Sequence, residues 1–133
     1  MKYSLVVLMS IFISGCATQS EVDQGTVDFL VDKYNVNAPA VLCTQEGYTS
    51  CFEISTNQCL SSLSEKVNTD CRVSAEMRYD HVTSDNFEPY VRYYNLCLKG
   101  YLLNQYEGKV EKIDKCISES HYDEDEAMKA LLK

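Results

Sequence analysis

Seven cysteines and two histidines are the side chains of this chain best suited to covalent or metal chemistry near neutral pH. His81 lies in "YDHVTSD", with Asp80 before it and Asp85 four residues on. His121 opens "HYDEDE", which places Asp123 and Asp125 nearby in a run of acids that ends at Glu126. A histidine beside carboxylates can serve as a general base or a metal ligand, and clustered acids can hold a divalent cation. His81 and the His121–Glu126 segment therefore define one reading, a small metal-binding or hydrolytic module. Neither histidine has a partner at diagnostic ligand spacing, and the acidic run lacks the glycine and distal glutamate of an EF-hand loop. Carboxylates in the first turn of a helix complement its positive end without any metal. The sequence also contains no H-E-x-x-H, G-x-S-x-G, P-loop, dinucleotide fingerprint or S-x-x-K pattern. The expectation is a protein that is not an enzyme, with no metal and no dissociable cofactor.

The cysteines stand at positions 16, 43, 51, 59, 71, 97 and 116. No two are spaced C-x-x-C, which argues against both a zinc site and a thioredoxin-like redox centre. Without Cys16 the count is an even six, the arithmetic of three disulfides. Six cysteines allow fifteen connectivities, so pairing has to be argued from geometry. With helices on both sides of a turn at Glu107-Gly108, Cys97 and Cys116 would sit at similar heights on an antiparallel pair. Cys43 and Cys51 straddle Gly47 in "CTQEGYTSC" and would close a short loop. Elimination leaves Cys59 with Cys71, and exchange among positions 43, 51, 59 and 71 remains open.

Cys16 has a different context. Met1 and Lys2 precede "LVVLMSIFI", an apolar run too short to cross a bilayer as a permanent helix, and the small residues Ser14 and Gly15 follow. That is the layout of a cleaved secretory signal. "ISGC", Ile13 to Cys16, resembles the lipobox of bacterial lipoproteins. The resemblance implies that residues 1–15 are removed as a signal peptide. It also implies that Cys16 carries a diacylglyceryl group and a further acyl chain, such as palmitate, on its amine. Two or more chains give stable membrane anchoring, where one gives only marginal binding. Ala17 after the lipidated cysteine, in place of aspartate, favours the outer membrane, with the domain in the periplasm or at the cell surface. Such a compartment permits disulfides.

Residues 16–20 then read as a lipidated terminus and short tether, and residues 21–133 as one helical, cysteine-rich domain. The chain has a formal net charge of −8, and loss of residues 1–15, which hold Lys2 and no acid, takes it to −9. Nucleic acid is not an expected partner, because phosphate contacts need clustered Lys and Arg. The charge suits solubility and a basic envelope or exogenous protein.

The elements expected to position these groups are helical. "SEVD" at Ser20 to Asp23 can cap a first helix bearing Val27, Leu30, Val31 and Tyr34, with Asn35, Asn37 and Pro39 as its breakers. "STNQ" is a capping box, Ser55 with Gln58, ahead of a stripe of Cys59, Leu60, Leu63 and Val67. In "CRVSAEMRY", Cys71, Val73, Ala75, Met77 and Tyr79 alternate like a strand, whereas Ala, Glu, Met and Arg favour helix. "DNFEP" starts the longest periodic segment, with Pro89 in its first turn and Phe87, Tyr90, Val91, Tyr94, Cys97, Leu98, Tyr101 and Leu102 on one face. Val110, Ile113 and Ile117 mark a further helix after Gly108, and "SHYD" at Ser120 to Asp123 can cap a last one. The predicted fold is an all-α, disulfide-stapled bundle of four or five short helices. The alternative is an α+β arrangement with a hairpin near 40–54 and a strand near 71–79.

Tyrosine is over-used, ten residues against no tryptophan. Tyr90, Tyr94 and Tyr101 share the apolar face with Cys97 and are expected in the core. Tyr93 and Tyr106 fall towards its edges and form the expected partner surface, since tyrosine is enriched at protein contacts. The function that follows is a non-enzymatic binding or interaction lipoprotein, acting in envelope assembly, hydrolase inhibition or exclusion.

Overall fold

The structure is a computed structural model that describes residues 22–120. It is all-α: α1 (Gln24–Cys43), α2 (Glu46–Phe52), α3 (Thr56–Ser62), α4 (Glu65–Arg78), α5 (Phe87–Asn104) and α6 (Val110–Glu119). A 3₁₀ turn, Glu107–Lys109, precedes α6. The predicted disulfide-stapled helical bundle is what the residues form, with six helices among the described residues in place of the expected four or five, and the α+β alternative does not hold. Residues 40–54 are helical apart from short breaks, and residues 71–78 belong to α4. The alternation in "CRVSAEMRY" yields to helix propensity because only Cys71 and Ala75, four apart on one face, are buried.

α1 corrects the expected break at Asn35, Asn37 and Pro39, for it runs through all three. Proline inside a helix removes the N–H that would bond the carbonyl four residues back, here that of Asn35. Asn68 takes over that carbonyl: its Nδ2 donates to it at 2.8 Å, with the Tyr94 hydroxyl 3.3 Å away. The Asn35 side chain accepts from the Tyr90 hydroxyl at 2.6 Å, and Tyr94 also donates to Asn68 Oδ1 at 2.7 Å. A polar network between α1, α4 and α5 thus replaces the missing helical bond. The cap of α1 is Asp23, whose side chain accepts from the Thr26 N–H.

Other boundaries shift for local reasons. The Ser55–Gln58 capping box is present with both of its bonds. Its helix stops at Ser62, and Ser64 caps α4 anew, so Cys59 and Val67 lie on different helices. Asn86, not Asp85, is the cap residue of α5, and its side chain makes no cap bond. Asn86 instead accepts from the Thr83 N–H and donates to the His81 carbonyl, which organises the loop before the helix. α5 ends at Asn104, ahead of Gly108.

α1 packs against α2, α3, α4 and α5; α4 lies along α5, and α6 packs on α2. Tyr34, Tyr90, Tyr94, Phe52, Leu42, Leu98, Leu102 and Ile113 fill the interior. The disulfides correct all three expected pairings. Cys43 bonds Cys59, Cys51 bonds Cys116, and Cys71 bonds Cys97. The expected Cys97–Cys116 pair fails because Cys97 faces α4 while α6 carries Cys116 to α2. Cys43–Cys51 fails because Glu46–Phe52 is a helix, not an open loop, and directs Cys51 towards α6. Cys59–Cys71 fails because α3 turns Cys59 to the end of α1. Each bridge therefore joins two helices: α1 to α3, α2 to α6, and α4 to α5.

Burial raises the pKa of Tyr90 to about 12, with the nearby Glu76 carboxylate adding to the shift and the Asn35 bond opposing it. Burial raises Tyr94 still further. A group whose folded pKa is raised contributes stability in full below its unfolded pKa and loses it as pH rises. Unfolding by urea is therefore expected to need less denaturant as pH climbs from the ordinary tyrosine value of 10.0. Tyr90→Phe should flatten that decline, and an unchanged alkaline profile in the variant would contradict the assignment.

Candidate groove between α4 and α5

Where α4 ends and α5 begins, the chain leaves a groove of about 420 Å³. Arg78, Tyr79, Pro89, Arg92, Tyr93 and Leu96 line it, with Ser84, Asp85 and Glu88 at the loop side. Its walls are fixed by the elements around it. α4 stops at Arg78, and Tyr79 leaves the helical region with its N–H still bonded to the Ala75 carbonyl. Gln24 Nε2 donates to the Val82 carbonyl at 2.7 Å, which ties the 79–86 loop to the start of α1. Cys71–Cys97 joins the two helices behind the groove.

The floor is aromatic. Tyr79 and Tyr93 meet edge to face with centroids 6.3 Å apart, and the Arg78 guanidinium lies 5.9 Å from the first ring and 5.3 Å from the second. Such a cation–π contact is favoured by the negative ring face. The Tyr93 hydroxyl is 3.3 Å from Ser74 Oγ. Arg92 pairs with Glu88 across one helical turn at 2.7 Å. From this floor a chain of edge-to-face tyrosines runs inward: Tyr79 to Tyr90, Tyr90 to Tyr94, and Tyr94 to Tyr34. Tyr34 in turn donates to Asn95 Oδ1. Five of the ten tyrosines thus form one connected set, which gives the groove a rigid base.

Of the expected partner surface, Tyr93 lies in the groove, and Tyr106 is corrected, for it does not. Tyr106 is half-buried and packs on Phe52 with centroids 5.7 Å apart, closing the end of α5 onto α2. Tyr101, expected in the core, is 41 % exposed and reaches towards Asp70 at the surface. His81 is exposed in the 79–86 loop. His121, Asp123 and Asp125 lie outside the described residues, as do Cys16 and the final predicted helix. Among the described residues no group of three His, Cys, Asp or Glu side chains is placed to hold a metal. No helix among them is long and apolar enough to cross a membrane.

Arg78, Tyr79, Pro89, Arg92 and Leu96 were not anticipated. Pro89, Arg92, Tyr93 and Leu96 do follow helical i, i+3, i+4, i+7 spacing, so one wall was legible as a second face of α5. The other wall depends on where α4 stops. No protein-family model matches the chain, and neither curated proteins nor solved structures yield a match.

Proposed function

We propose that this chain is a bacterial lipoprotein, anchored through acyl groups on Cys16. Its stapled domain binds a cationic protein of the envelope, or one that enters it, through the α4–α5 groove and performs no catalysis. The observation that carries the reading is the groove itself: aromatic faces, a proline and a leucine on a disulfide-joined helix pair. Tyrosine and arginine in a recess of this kind are the usual anchors of a protein contact. None of the carboxylates in the described residues is buried, so their negative charge faces solvent, where it can steer a basic partner. Asp85 and Glu88 border the groove, where a basic side chain would meet Asp85 directly and compete with Arg92 for Glu88. The six cysteines of the domain pair with one another, which leaves Cys16 for the lipid.

The test is capture of envelope proteins by the immobilised domain at low and high salt. A partner lost at high salt, and lost again with Tyr93→Ala or with Asp85→Asn/Glu88→Gln, is the expected result. Recovery of no salt-sensitive partner, or of one indifferent to these variants, would overturn the groove's role. For the anchor, Cys16→Ser should abolish metabolic labelling by palmitate. Retained labelling would refute lipidation at this position.

A further inference from the structure

α1 carries a feature that neither the core nor the groove uses. Phe29 and Val36, seven residues apart, are 56 % and 76 % exposed, and Val22 just ahead of the helix is 49 % exposed. A seven-residue step returns to nearly the same line on a helix. At 3.6 residues per turn, that line lies roughly opposite Tyr34, which α1 turns inward against α5. Lys33 sits beside the row with its ammonium 5.2 Å from the centre of the Phe29 ring.

We propose that this row is a membrane-contact face, which lies on the lipid headgroup region beside the acylated Cys16. The inference rests on the lipoprotein reading above. Val22 is only six positions on from Cys16, and a fully extended chain of that length reaches about 20 Å. Phe29 and Val36 follow along the same helix, so the whole row stays within reach of the anchoring bilayer. A short tether also holds it there at an effective concentration in the millimolar range, so weak apolar contacts are enough. A second copy of the chain is a poorer occupant. Helix pairing needs a continuous second apolar row three or four residues on; after Phe29 those positions are Asp32 and Lys33, and only after Val36, at Pro39 and Ala40, are they apolar. A dimer would bury Asp32 against its copy. A bilayer surface accepts a single apolar row with polar flanks and lets Lys33 keep its stem on Phe29 and its charge in water.

The test separates this face from the natural anchor. The chain from Cys16 onward, which contains the whole folded domain, is alkylated at Cys16 with a single-chain lipid maleimide, the other six cysteines being in disulfides. One acyl chain gives marginal, reversible binding, so the contribution of the row can be read in sedimentation with phosphatidylcholine vesicles. Phe29→Ser and Val36→Ser should each weaken partitioning by about tenfold. Met77→Ser, which removes the most exposed large apolar side chain among the described residues, should leave it unchanged. Equal loss in all three variants, or in none, would overturn the proposal. So would a dimer in solution that Phe29→Ser dissolves. Because the lipid is attached chemically, a negative result here leaves the palmitate labelling of Cys16 to stand or fall separately.

Discussion

Replacing Cys51 and Cys116 together by alanine should lower the unfolding free energy by about 4 kcal/mol, the largest loss expected from any one bridge. The bridge spans 65 residues, against 16 for Cys43–Cys59 and 26 for Cys71–Cys97. Loop-closure entropy grows with the logarithm of loop length, so the same treatment assigns about 3 kcal/mol to the shortest one. Packing points the same way. α6 fully buries only Ile113, so little besides this staple holds it to α2. Lys109 and Lys112 do pair with Glu53 at 3.3 and 3.0 Å, but these groups are exposed and such pairs add little. For a domain this small, a loss of that size approaches the whole stability. Urea unfolding of the two double variants checks the ranking, and peptide mapping without reductant checks the pairing. A Cys43→Ala/Cys59→Ala variant that is the less stable of the two would show that α6 is held by packing instead.

The second large effect is at Asn68. Asn68→Ala removes the 2.8 Å donor to the Asn35 carbonyl and the 2.7 Å acceptor of the Tyr94 hydroxyl. Leaving such groups poorly satisfied in the interior should cost about 2 kcal/mol. The cause, a carbonyl released by Pro39, supplies a sharper test. Pro39→Ala restores a backbone N–H that can bond Asn35 within the helix, so Asn68→Ala should then cost about 1 kcal/mol less. A double-mutant cycle by urea unfolding measures that coupling. Strict additivity would mean that Asn68 acts by some route other than the proline gap.

These two regions also show why parts of the fold could be read from the sequence and others could not. The capping box at Ser55, the face of α5 from Phe87 to Leu102 and the even count of six cysteines rest on local chemistry, and the helical, stapled class follows from them. Local chemistry at Asn35, Asn37 and Pro39 favours a break. It is overridden by Asn68 and Tyr94, which lie 33 and 59 residues from Asn35 in sequence. No local pattern shows such a partner. For the groove, Tyr93 stood out by composition and by its place at the edge of a stripe. Arg78 and Tyr79 did not, because their role arises only where the end of α4 meets the start of α5.

The sequence by itself favoured the helical class over the α+β alternative, and it determined the even count of six cysteines outside the lipobox-like context of Cys16. Residue type, short-range periodicity and parity are enough for those. The tertiary structure alone decided which cysteines meet. A disulfide requires two particular β-carbons to come within a few ångströms of each other, and that depends on how helices far apart in the chain are packed. The same packing sets Tyr93 in the groove and Tyr106 against Phe52 at the end of α5, two tyrosines that the sequence placed on equal terms.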